Sequence, residues 1–404
     1  MLGFAQSAII TLASFLFVLT FVVTVHELGH FLAARSLGVA VDRFSIGFGR
    51  AIASWRDRSG VEWRIGWIPL GGYVRFKGDE NAASVPDQND LQAMREWIEY
   101  EEGKEAVKSY FHFKPLWQRA VVVAAGPFAN FVLASALFAV LLGVFGEMTM
   151  PPRVTSVEPG SAAQQAGFVA GDLVKEMDGK PVRGFEDIAQ YVQLRAERPI
   201  DFLVERGGRE LHILATPART TIDHPVAGRV EIGMLGIGWP DVSQVERVRY
   251  APLEAVVQGV KRTGDVLSTT VFYLGRLIQG EVPADQLGGF IGIADASGKV
   301  AKEGARDAPD VSTMILGVMV SLLGLTAVLS VSIGFMNLLP VPVLDGGHLL
   351  FYAYEAVARR PLASSVQAAG YRVGLALLLG FMLFATWNDL QRLRVFNFLG
   401  GLFS

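Results

Sequence analysis

Four long apolar stretches separate the polar parts of this chain. They extend, approximately, from Ala8 to Ala34, Ala120 to Gly146, Val311 to Leu344 and Val373 to Trp387. A helix of about 20 mostly apolar residues can cross a bilayer, so the pattern predicts about four transmembrane helices. The fourth stretch is short, and it reaches back to Ser364 if the charged end of Arg372 extends to the membrane surface. A cleaved signal peptide is the alternative for the first stretch, but residues 1–7 lack the positive charge that it requires.

Lysine and arginine are concentrated in three of the connecting regions. Basic residues follow the first stretch, precede the second and lie between the third and fourth: Arg35, Arg43, Arg50, Arg56, Arg58, Arg64, Arg75, Lys77, Lys104, Lys108, Lys114, Arg119, Arg359 and Arg360. Because basic loops tend to stay in the cytoplasm, these regions are predicted to be cytoplasmic. Both termini and the loop from Glu147 to Pro309 then lie outside, although Arg392 and Arg394 weigh against this orientation.

Two polar regions on the predicted cytoplasmic side have local patterns of their own. Residues 42–77 alternate apolar and polar positions in short runs on either side of a turn at Arg58-Ser-Gly60. This alternation predicts β-hairpins. Residues 79–108 are polar and are predicted to be partly helical.

The loop between the second and third stretches has the pattern of a small α/β domain. A strand at 153–157, a turn and short helix at 159–167, a strand at 171–179, a helix at 185–195 and a hairpin across Gly207-Gly208 are predicted in that order. This order resembles the PDZ domains of bacterial periplasmic proteases. The resemblance implies that an extended peptide binds along a strand edge. A domain that only shields the membrane site is the alternative.

Composition narrows the class of protein. Hydrophobic residues make up 51% of the chain and charged residues 19%, against about 25% charged in a typical soluble domain. A protein embedded in a lipid bilayer is therefore indicated. The net charge of −3 and the lack of a long basic run argue against nucleic acid as a partner. Because the chain has no cysteine, it uses neither disulfides nor a thiol nucleophile, and any metal site consists of His, Asp and Glu.

The clearest chemical signal is the run His26-Glu-Leu-Gly-His30 near the end of the first stretch. Residues four apart share one face of a helix, so both imidazoles can reach one Zn²⁺, and Glu27 beside them can take a proton from water. Ionisable side chains are costly inside a membrane and usually mark function there. The alternative is that these polar residues only end the helix at the membrane interface.

Catalytic zinc typically has three protein ligands and one open position, so a third ligand is needed. The candidates are the acidic residues and four further histidines: His112, His212, His224 and His348. Asp345 is favoured because it ends the third stretch, where two prolines break the helix and leave backbone that protein or water must cover. An Asp-Gly turn is its alternative interpretation. His348 is interpreted as an interfacial histidine in preference to a partner of the metal ligands.

Together these motifs resemble the site-2 protease family of intramembrane zinc metalloproteases. The resemblance covers nearly the whole chain and depends on H-E-x-x-H in the first stretch and N-x-x-P-x-x-x-x-D-G in the third. The single PDZ-like insert is similar to the bacterial RseP-like (regulator of sigma-E protease) branch, of which many members carry two such units. Phe290 departs from the family pattern, which has proline there in a gating segment.

The resemblance implies a set of site residues. It implies that zinc is bound by His26, His30 and Asp345, with Glu27 as the general base. It also implies that three residues hold the substrate: Asn337, Pro340 and, in the run Gly126-Pro127-Phe-Ala-Asn130, Asn130. In the family, the β region pairs with an unwound substrate and the PDZ-like domain acts outside as a size filter.

The predicted fold is a polytopic α-helical membrane protein with a cytoplasmic β-hairpin region and a periplasmic PDZ-like α/β insert. Its segments are a first transmembrane helix (1–41), a membrane-associated β region (42–78), a cytoplasmic polar segment (79–114), a second helix (115–147), the PDZ-like domain (152–219), a linker with an amphipathic membrane-surface segment (220–310), a third transmembrane segment (311–346), and a cytoplasmic loop, fourth helix and tail (347–404). Expected substrates are membrane-spanning proteins, such as anti-sigma factors or signal-peptide remnants, cut near the cytoplasmic side of a bacterial inner membrane. A catalytically silent PDZ scaffold and an ion-coupled transporter are the alternatives.

Overall fold

The computed structural model describes residues 2–78, 88–224, 228–238, 246–280, 287–306 and 308–392. Within these ranges, four helices are long and apolar enough to cross a membrane: Gln6–Ser36, Leu116–Phe145, Val311–Asn337 and Ser364–Arg392. The four predicted apolar helices are therefore confirmed, and the fourth takes the longer of its two predicted extents. Arg394 and the predicted C-terminal tail lie outside the described residues.

In chain order, the helices are α1 (Leu2–Ser36), α2 (Gln88–Glu101), α3 (Leu116–Val140), α4 (Ala162–Ala166), α5 (Phe185–Gln193), α6 (Pro252–Ile278), α7 (Phe290–Gly304), α8 (Val311–Asn337), α9 (Asp345–Ala358) and α10 (Ser364–Arg392). The strands are β1 (Val41–Arg56), β2 (Glu62–Phe76), β3 (Glu147–Thr149), β4 (Leu173–Met177), β5 (Lys180–Pro181), β6 (Ile200–Arg206), β7 (Arg209–Ala215), β8 (Ala218–His224), β9 (Gly228–Met234) and β10 (Glu246–Val248). A π-helical turn, Leu141–Phe145, continues α3.

The chain divides into two compact units. The first comprises residues 1–139, 256–270 and 287–404, and the second comprises residues 140–255 and 271–286. In the first unit, α1, α3 and α8 approach one another through glycine. A Cβ added at Gly29 of α1 would lie 2.3 Å from the Ala125 carbonyl oxygen, and one at Gly334 of α8 would lie 3.1 Å from that of Pro127. Small residues of this kind let helix backbones pack closely where lipid provides no hydrophobic driving force.

Strands β1 and β2 form one long antiparallel pair in place of several separate hairpins. The register shifts along the pair bend it back on itself. As a result, residues Arg43–Ile46 of β1 pair with two parts of β2, Glu62–Ile65 and Gly72–Arg75. The inner face packs on the end of α1, where the rings of Phe31, Phe44 and Trp63 contact one another in pairs at 4.8–5.4 Å. The pair is thereby fixed to the helix that carries the HExxH run.

The third apolar stretch is not one continuous helix. Helix α8 ends at Asn337, seven residues before the predicted end at Leu344, and α9 begins at Asp345. The prolines between them cannot continue the helical hydrogen-bond pattern, as the sequence led us to expect. Gly346 allows the return of the chain, because a Cβ there would lie 2.3 Å from the carbonyl oxygens of both Leu338 and Leu339.

The second unit contains the elements predicted for the PDZ-like segment, with one exception. Its sheet has the order β5-β4-β6-β7, and α4, α5 and the β6–β7 hairpin lie where the pattern placed them. The predicted strand 153–157 is wrong. It forms only the isolated bridges Arg153↔Leu173 and Val157↔Ile237, because its backbone changes hydrogen-bond partner within four residues.

The apolar core of the second unit continues past residue 219, the predicted end of the PDZ-like domain. Leu235 is buried in the same cluster as Phe185 and Phe202, and its carbonyl oxygen accepts a hydrogen bond from Ala163 N–H. Segments from both sides of the predicted boundary thus share one core. Assignment of this unit as a PDZ domain stays a prediction.

The described residues of 220–310, the region predicted as a linker, include the two helices α6 and α7, of which α6 was missed. Its apolar residues recur at helical spacing from Leu253 to Val260, and Pro252 stands at its first turn. Helix α7 covers nearly all of the stretch predicted to be amphipathic, Ile293–Ala305, and packs in the first unit against α1 and α8. A Cβ at Gly298 would lie 2.1 Å from Thr11 Oγ1, and one at Gly304 would lie 2.5 Å from the Gly317 carbonyl oxygen.

Candidate metal centre

Helix α1 brings His26 and His30 together on one face. Their rings lie edge to face with centroids 4.9 Å apart, and their Nε2 atoms are 3.2 Å apart. The spacing of four residues is slightly more than one helical turn, which produces this arrangement without any tertiary help. Both histidines lie more than halfway along a helix able to span a membrane.

Asp345 reaches this pair from the first turn of α9. Its Oδ2 atom lies 3.1 Å from His26 Nε2 and 3.6 Å from His30 Nε2. The break between α8 and α9 directs the carboxylate inward. The two motifs predicted to form one site, more than 300 residues apart in the chain, are therefore adjacent in the structure.

A contact with α3 sets the protonation of the His30 ring. Its Nδ1 atom lies 2.9 Å from the Val122 carbonyl oxygen. A carbonyl oxygen only accepts hydrogen bonds, so Nδ1 carries a proton, and in the neutral imidazole the lone pair of Nε2 then points toward His26 and Asp345. Gly126 makes this position possible, because a Cβ there would lie 2.2 Å from His30 Nε2.

The arrangement fits a tetrahedral zinc ion. One ligand atom from each of His26, His30 and Asp345 lies within 4.8 Å of the others, the one such group among the described residues. Ligands about 2.0–2.2 Å from zinc are about 3.4 Å from each other in a tetrahedron, close to the three separations of 3.1, 3.2 and 3.6 Å. Asp345 Oδ2 is buried and has no well-formed hydrogen bond among the described residues. A bound cation would compensate the charge of this oxygen.

Glu27 lies beside the candidate ligands and against the β1–β2 pair. Gly72 and Val74 of β2 line the same cavity as Glu27, and a Cβ added at Gly72 would lie 3.3 Å from Glu27 Cγ. The acid lines a cavity of about 1080 Å³ together with His26, His30 and Asp345. A carboxylate in this position can exchange protons with water in the cavity.

The three residues predicted to hold substrate occupy different places. Asn337 lines the cavity. Pro340 is exposed and lies outside the cavity lining. Asn130 is fully buried and its amide contacts His26 Nδ1 at 3.3 Å, and its role in substrate binding stays a prediction. Asn130 thus touches a candidate metal ligand instead of open space where substrate could bind.

The remaining histidines lie outside the candidate ligand group. His348 lines the cavity, and its ring contacts the Tyr371 hydroxyl of α10 at 3.1 Å. His112 also lines the cavity. His212 pairs with Asp201 in the second unit at 3.0 Å, and the side chain of His224 lies outside the described part of the chain.

Several site residues escaped prediction from the sequence. Val122 acts through its carbonyl oxygen, which any residue type would supply. Val74 and Gly72 belong to a strand, and no motif links them to Glu27. Tyr371 stands in an apolar helix, where a lone tyrosine gives no signal of a neighbouring histidine. Only the Gly126-Pro127 run gave a usable signal, since both residues are poor helix formers.

The sequence pattern of peptidase family M50 matches residues 14–381 of the chain. Metalloprotease MmpA of Caulobacter vibrioides is 54% identical over 404 residues, which covers 100% of both chains. "Putative zinc metalloprotease Atu1380" of Agrobacterium fabrum is 43% identical over 380 residues, or 94% of this chain and 95% of the relative. "Putative zinc metalloprotease R01501" of Rhizobium meliloti is 43% identical over 382 residues, or 94% and 96%.

Proposed function

Because this chain belongs to peptidase family M50 and is a zinc metalloprotease of the membrane, we propose that it cuts membrane proteins within or beside their transmembrane helices. The observation that carries the proposal is the position of His26, Glu27 and His30 on α1, a helix apolar enough to span a bilayer. Hydrolysis at such a place needs a polar enclosure that admits water, and the cavity beside these residues has that character.

The proposed zinc ligands are His26, His30 and Asp345. The fourth coordination position would be open to water or substrate. When bound, zinc supplies Lewis acidity, which polarises a carbonyl group and makes water acidic enough to react near neutral pH. Glu27 is proposed to take the proton of the attacking water and to return it to the leaving amine. Close packing of Gly72 against the Glu27 side chain limits the positions that the carboxylate can take.

Asn337 is proposed to hold the substrate backbone. It is the last residue of α8 and lines the cavity that contains Glu27 and Asp345. Its side-chain amide offers both a donor and an acceptor, which an extended peptide can use. Pro340 contributes indirectly, because it keeps the segment between Asn337 and Asp345 out of helical conformation.

The β1–β2 pair is proposed to receive the substrate as an added strand. Residues Gly72–Val74 lie against Glu27. A helical substrate shields its peptide bonds within its own hydrogen bonds, so it must be unwound before attack. Strand addition would supply new partners for the released backbone groups and would present the bond next to the general base.

Substrate class and placement are also proposals. Membrane-spanning proteins such as anti-sigma factors and signal-peptide remnants are the expected substrates. The concentration of basic residues after α1 supports a cytoplasmic position for the β1–β2 pair in a bacterial inner membrane. The same orientation makes the PDZ-like unit periplasmic, where it would limit access by bulky ectodomains.

The test combines zinc content with cleavage of a membrane-spanning reporter. Wild type and the variants Glu27→Gln, His26→Ala and Asp345→Ala are purified in detergent, with His212→Ala in the second unit as a matched control. We expect about one zinc per chain in wild type, Glu27→Gln and His212→Ala, and loss of zinc from the other two. Only wild type and His212→Ala should cut the reporter in vesicles.

Each outcome has a distinct meaning. Cleavage by Glu27→Gln would contradict its role as general base. Normal zinc in Asp345→Ala would remove Asp345 from the ligand set. Cleavage of soluble peptides without cleavage of the reporter would contradict the proposed membrane substrate. Zinc binding without any hydrolysis would favour a silent scaffold.

A further inference from the structure

We infer that Asn130 is a positioning residue for the metal centre, and that its side-chain oxygen accepts a hydrogen bond from His26 Nδ1–H when His26 Nε2 binds the metal. The inference rests on the proposed zinc ligands. It replaces the substrate-binding role predicted for Asn130 with one toward a ligand histidine.

Among the described residues, the Asn130 side-chain amide has one hydrogen-bonding contact. Its Nδ2 atom lies 3.3 Å from His26 Nδ1. The other end of the amide, Oδ1, is buried without a hydrogen-bond partner among the described residues. Because no partner holds Oδ1, rotation of the amide breaks no hydrogen bond at that end.

The backbone around Asn130 holds the side chain in this place. Ser330 of α8 donates a hydrogen bond of 2.8 Å to the Asn130 carbonyl oxygen. Gly334, one turn further along α8, packs so closely that an added Cβ would lie 3.1 Å from Asn130 Cβ. Helices α3 and α8 therefore fix the backbone of Asn130, and its side-chain amide can still rotate about the Cβ–Cγ bond.

The proton on His26 decides which end of the amide fits. Without metal, Nε2–H can face Asp345 Oδ2 at 3.1 Å, and Nδ1 is then an acceptor that suits the Asn130 NH₂ group. When Nε2 gives its lone pair to a metal, the ring proton must sit on Nδ1. The NH₂ group would then face another donor.

A half-turn of the Asn130 amide resolves this conflict. Oxygen and nitrogen of an amide are nearly equal in shape, so the exchange needs no movement of either helix. The rotated Oδ1 accepts from His26 Nδ1–H, which replaces a donor facing a donor by a donor facing an acceptor. Ligand histidines usually donate their second N–H to a carboxylate, a carbonyl or water, and these contacts orient the ring and strengthen the ligand.

The other ligand histidine already has such a contact. His30 Nδ1 lies 2.9 Å from the Val122 carbonyl oxygen, eight residues before Asn130 on the same helix. With the amide rotated, α3 supplies an oxygen acceptor to each histidine. The His30 contact comes from the backbone and is independent of residue type, whereas the His26 contact depends on the side chain of Asn130.

Two substitutions at Asn130 separate positioning from simple packing. Asn130→Asp keeps an oxygen acceptor for His26 Nδ1–H, whereas Asn130→Leu has the same number and branching of side-chain heavy atoms and cannot accept a hydrogen bond. Positioning predicts that Asn130→Asp binds zinc at least as tightly as wild type and that Asn130→Leu binds about 10- to 100-fold more weakly. Packing alone predicts the reverse order, because leucine suits a buried site better than a carboxylate.

The measurement is the zinc dissociation constant of the full chain in detergent, by competition with a chromophoric chelator. Asn388→Leu is the matched control, because Asn388 is a buried asparagine on α10, away from the ligands, and its Nδ2 contacts the Leu287 carbonyl oxygen. Its zinc affinity should equal that of wild type. Asn130→Ala, which keeps α3 helical, replaces the leucine variant if that protein does not fold, and the same weakening is expected.

The outcomes are separable. Wild-type zinc affinity in both Asn130→Leu and Asn130→Ala, or loss of affinity in Asn130→Asp alone, would overturn the positioning role. Absence of zinc from wild type would overturn the proposed ligands themselves, and the inference would fall with them. Equal weakening in Asn388→Leu would show that any buried substitution disturbs the site, which would also overturn it.

Discussion

At the metal centre, single atoms that carry no sequence signal decide how the ligands are held. The Val122 carbonyl oxygen fixes the His30 tautomer, and the missing side chain of Gly126 leaves room for the ring. The identities of the ligand residues followed from spacing and residue type. Their orientation depends on atoms of α3, more than 80 residues away in the chain.

Gly126→Ala should remove zinc from the protein. Its Cβ would lie 2.2 Å from His30 Nε2, the atom proposed to face the metal, so the ring must move or the two helices must separate. We expect a loss of bound zinc of at least tenfold, measured as zinc per chain. Gly380→Ala is the control, because among the described residues no atom beyond the adjacent helix backbone lies within 4 Å of the added Cβ at that position of α10. Equal zinc in both variants would contradict the role of Gly126.

In the second unit, Asp172 is fully buried and pairs with Arg206 through both carboxylate oxygens at 2.7 Å. Burial by itself raises the pKa of this carboxyl, but the hydrogen bonds from Arg206 and Val169 N–H outweigh burial and lower it. A folded-state pKa below the unfolded value of about 3.9 adds stability that is present above that pH. The contribution is lost as the pH falls through the folded-state value.

Asp172→Asn should therefore destabilise the second unit by about 2–3 kcal/mol at pH 7, and its thermal stability should depend less on pH below about pH 4 than that of wild type. Thermal unfolding in detergent at pH 7 and at acidic pH measures both effects. Glu205→Gln is the control, since its pair with Lys175 is partly exposed and should contribute under about 1 kcal/mol. Equal losses would show that burial of Asp172 is unimportant.

At the scale of the element, a side chain of α10 caps α7. The fully buried Asp389 accepts hydrogen bonds from the backbone N–H groups of Gly289 and Gly292, at 2.9 and 2.7 Å. These groups belong to the first turn of α7, whose orphan donors need acceptors. Phe290, the residue that departs from the family pattern, lies between them and is exposed. The cap comes from a residue about 100 positions away, which explains why no local capping signal precedes α7.

Asp389→Ala should loosen α7 and cost about 1–3 kcal/mol of stability, since one buried and one partly buried donor lose their acceptor. Asp389→Asn keeps one oxygen acceptor and should cost less. Thermal unfolding of both variants in detergent measures the order, and hydrogen exchange of the first turn of α7 locates the effect. An unchanged exchange rate at Gly292 in Asp389→Ala would contradict the cap.

At the scale of the whole molecule, the candidate metal centre brings together a helix near the start of the chain and a segment more than 300 residues later. His26 and His30 belong to α1, and Asp345 follows the break after α8. A ligand that binds only the folded chain raises its stability in proportion to the logarithm of free ligand over the dissociation constant. Zinc should therefore stabilise the fold as well as enable catalysis.

Removal of zinc by a chelator should lower the Tm of wild type. The corresponding loss of stability is about 4 kcal/mol when zinc had been present at 1,000 times its dissociation constant. Glu27→Gln should show the same shift, because its ligands are intact, and Asp345→Ala should show none. A chelator effect that persists in Asp345→Ala would place the stabilising metal elsewhere.

The sequence alone determined the apolar spans, the shared face of the two histidines and the break before Asp345. These features depend on hydrophobic length, helical period and proline chemistry, all of which act over a few neighbouring residues. Helix α6 was missed although it has the same kind of pattern, because the region around it was interpreted as a linker.

Only the tertiary structure decided which atoms surround the ligands. The buried contact of Asn130 with His26, the carbonyl oxygen of Val122, the strand residues beside Glu27 and the cap from Asp389 all join residues distant in the chain. The type of a residue does not reveal which atoms its backbone will contact or where the absence of a side chain will leave room for a neighbour. Their roles follow from which helices and strands become neighbours, and that choice is made by the packing of the whole first unit.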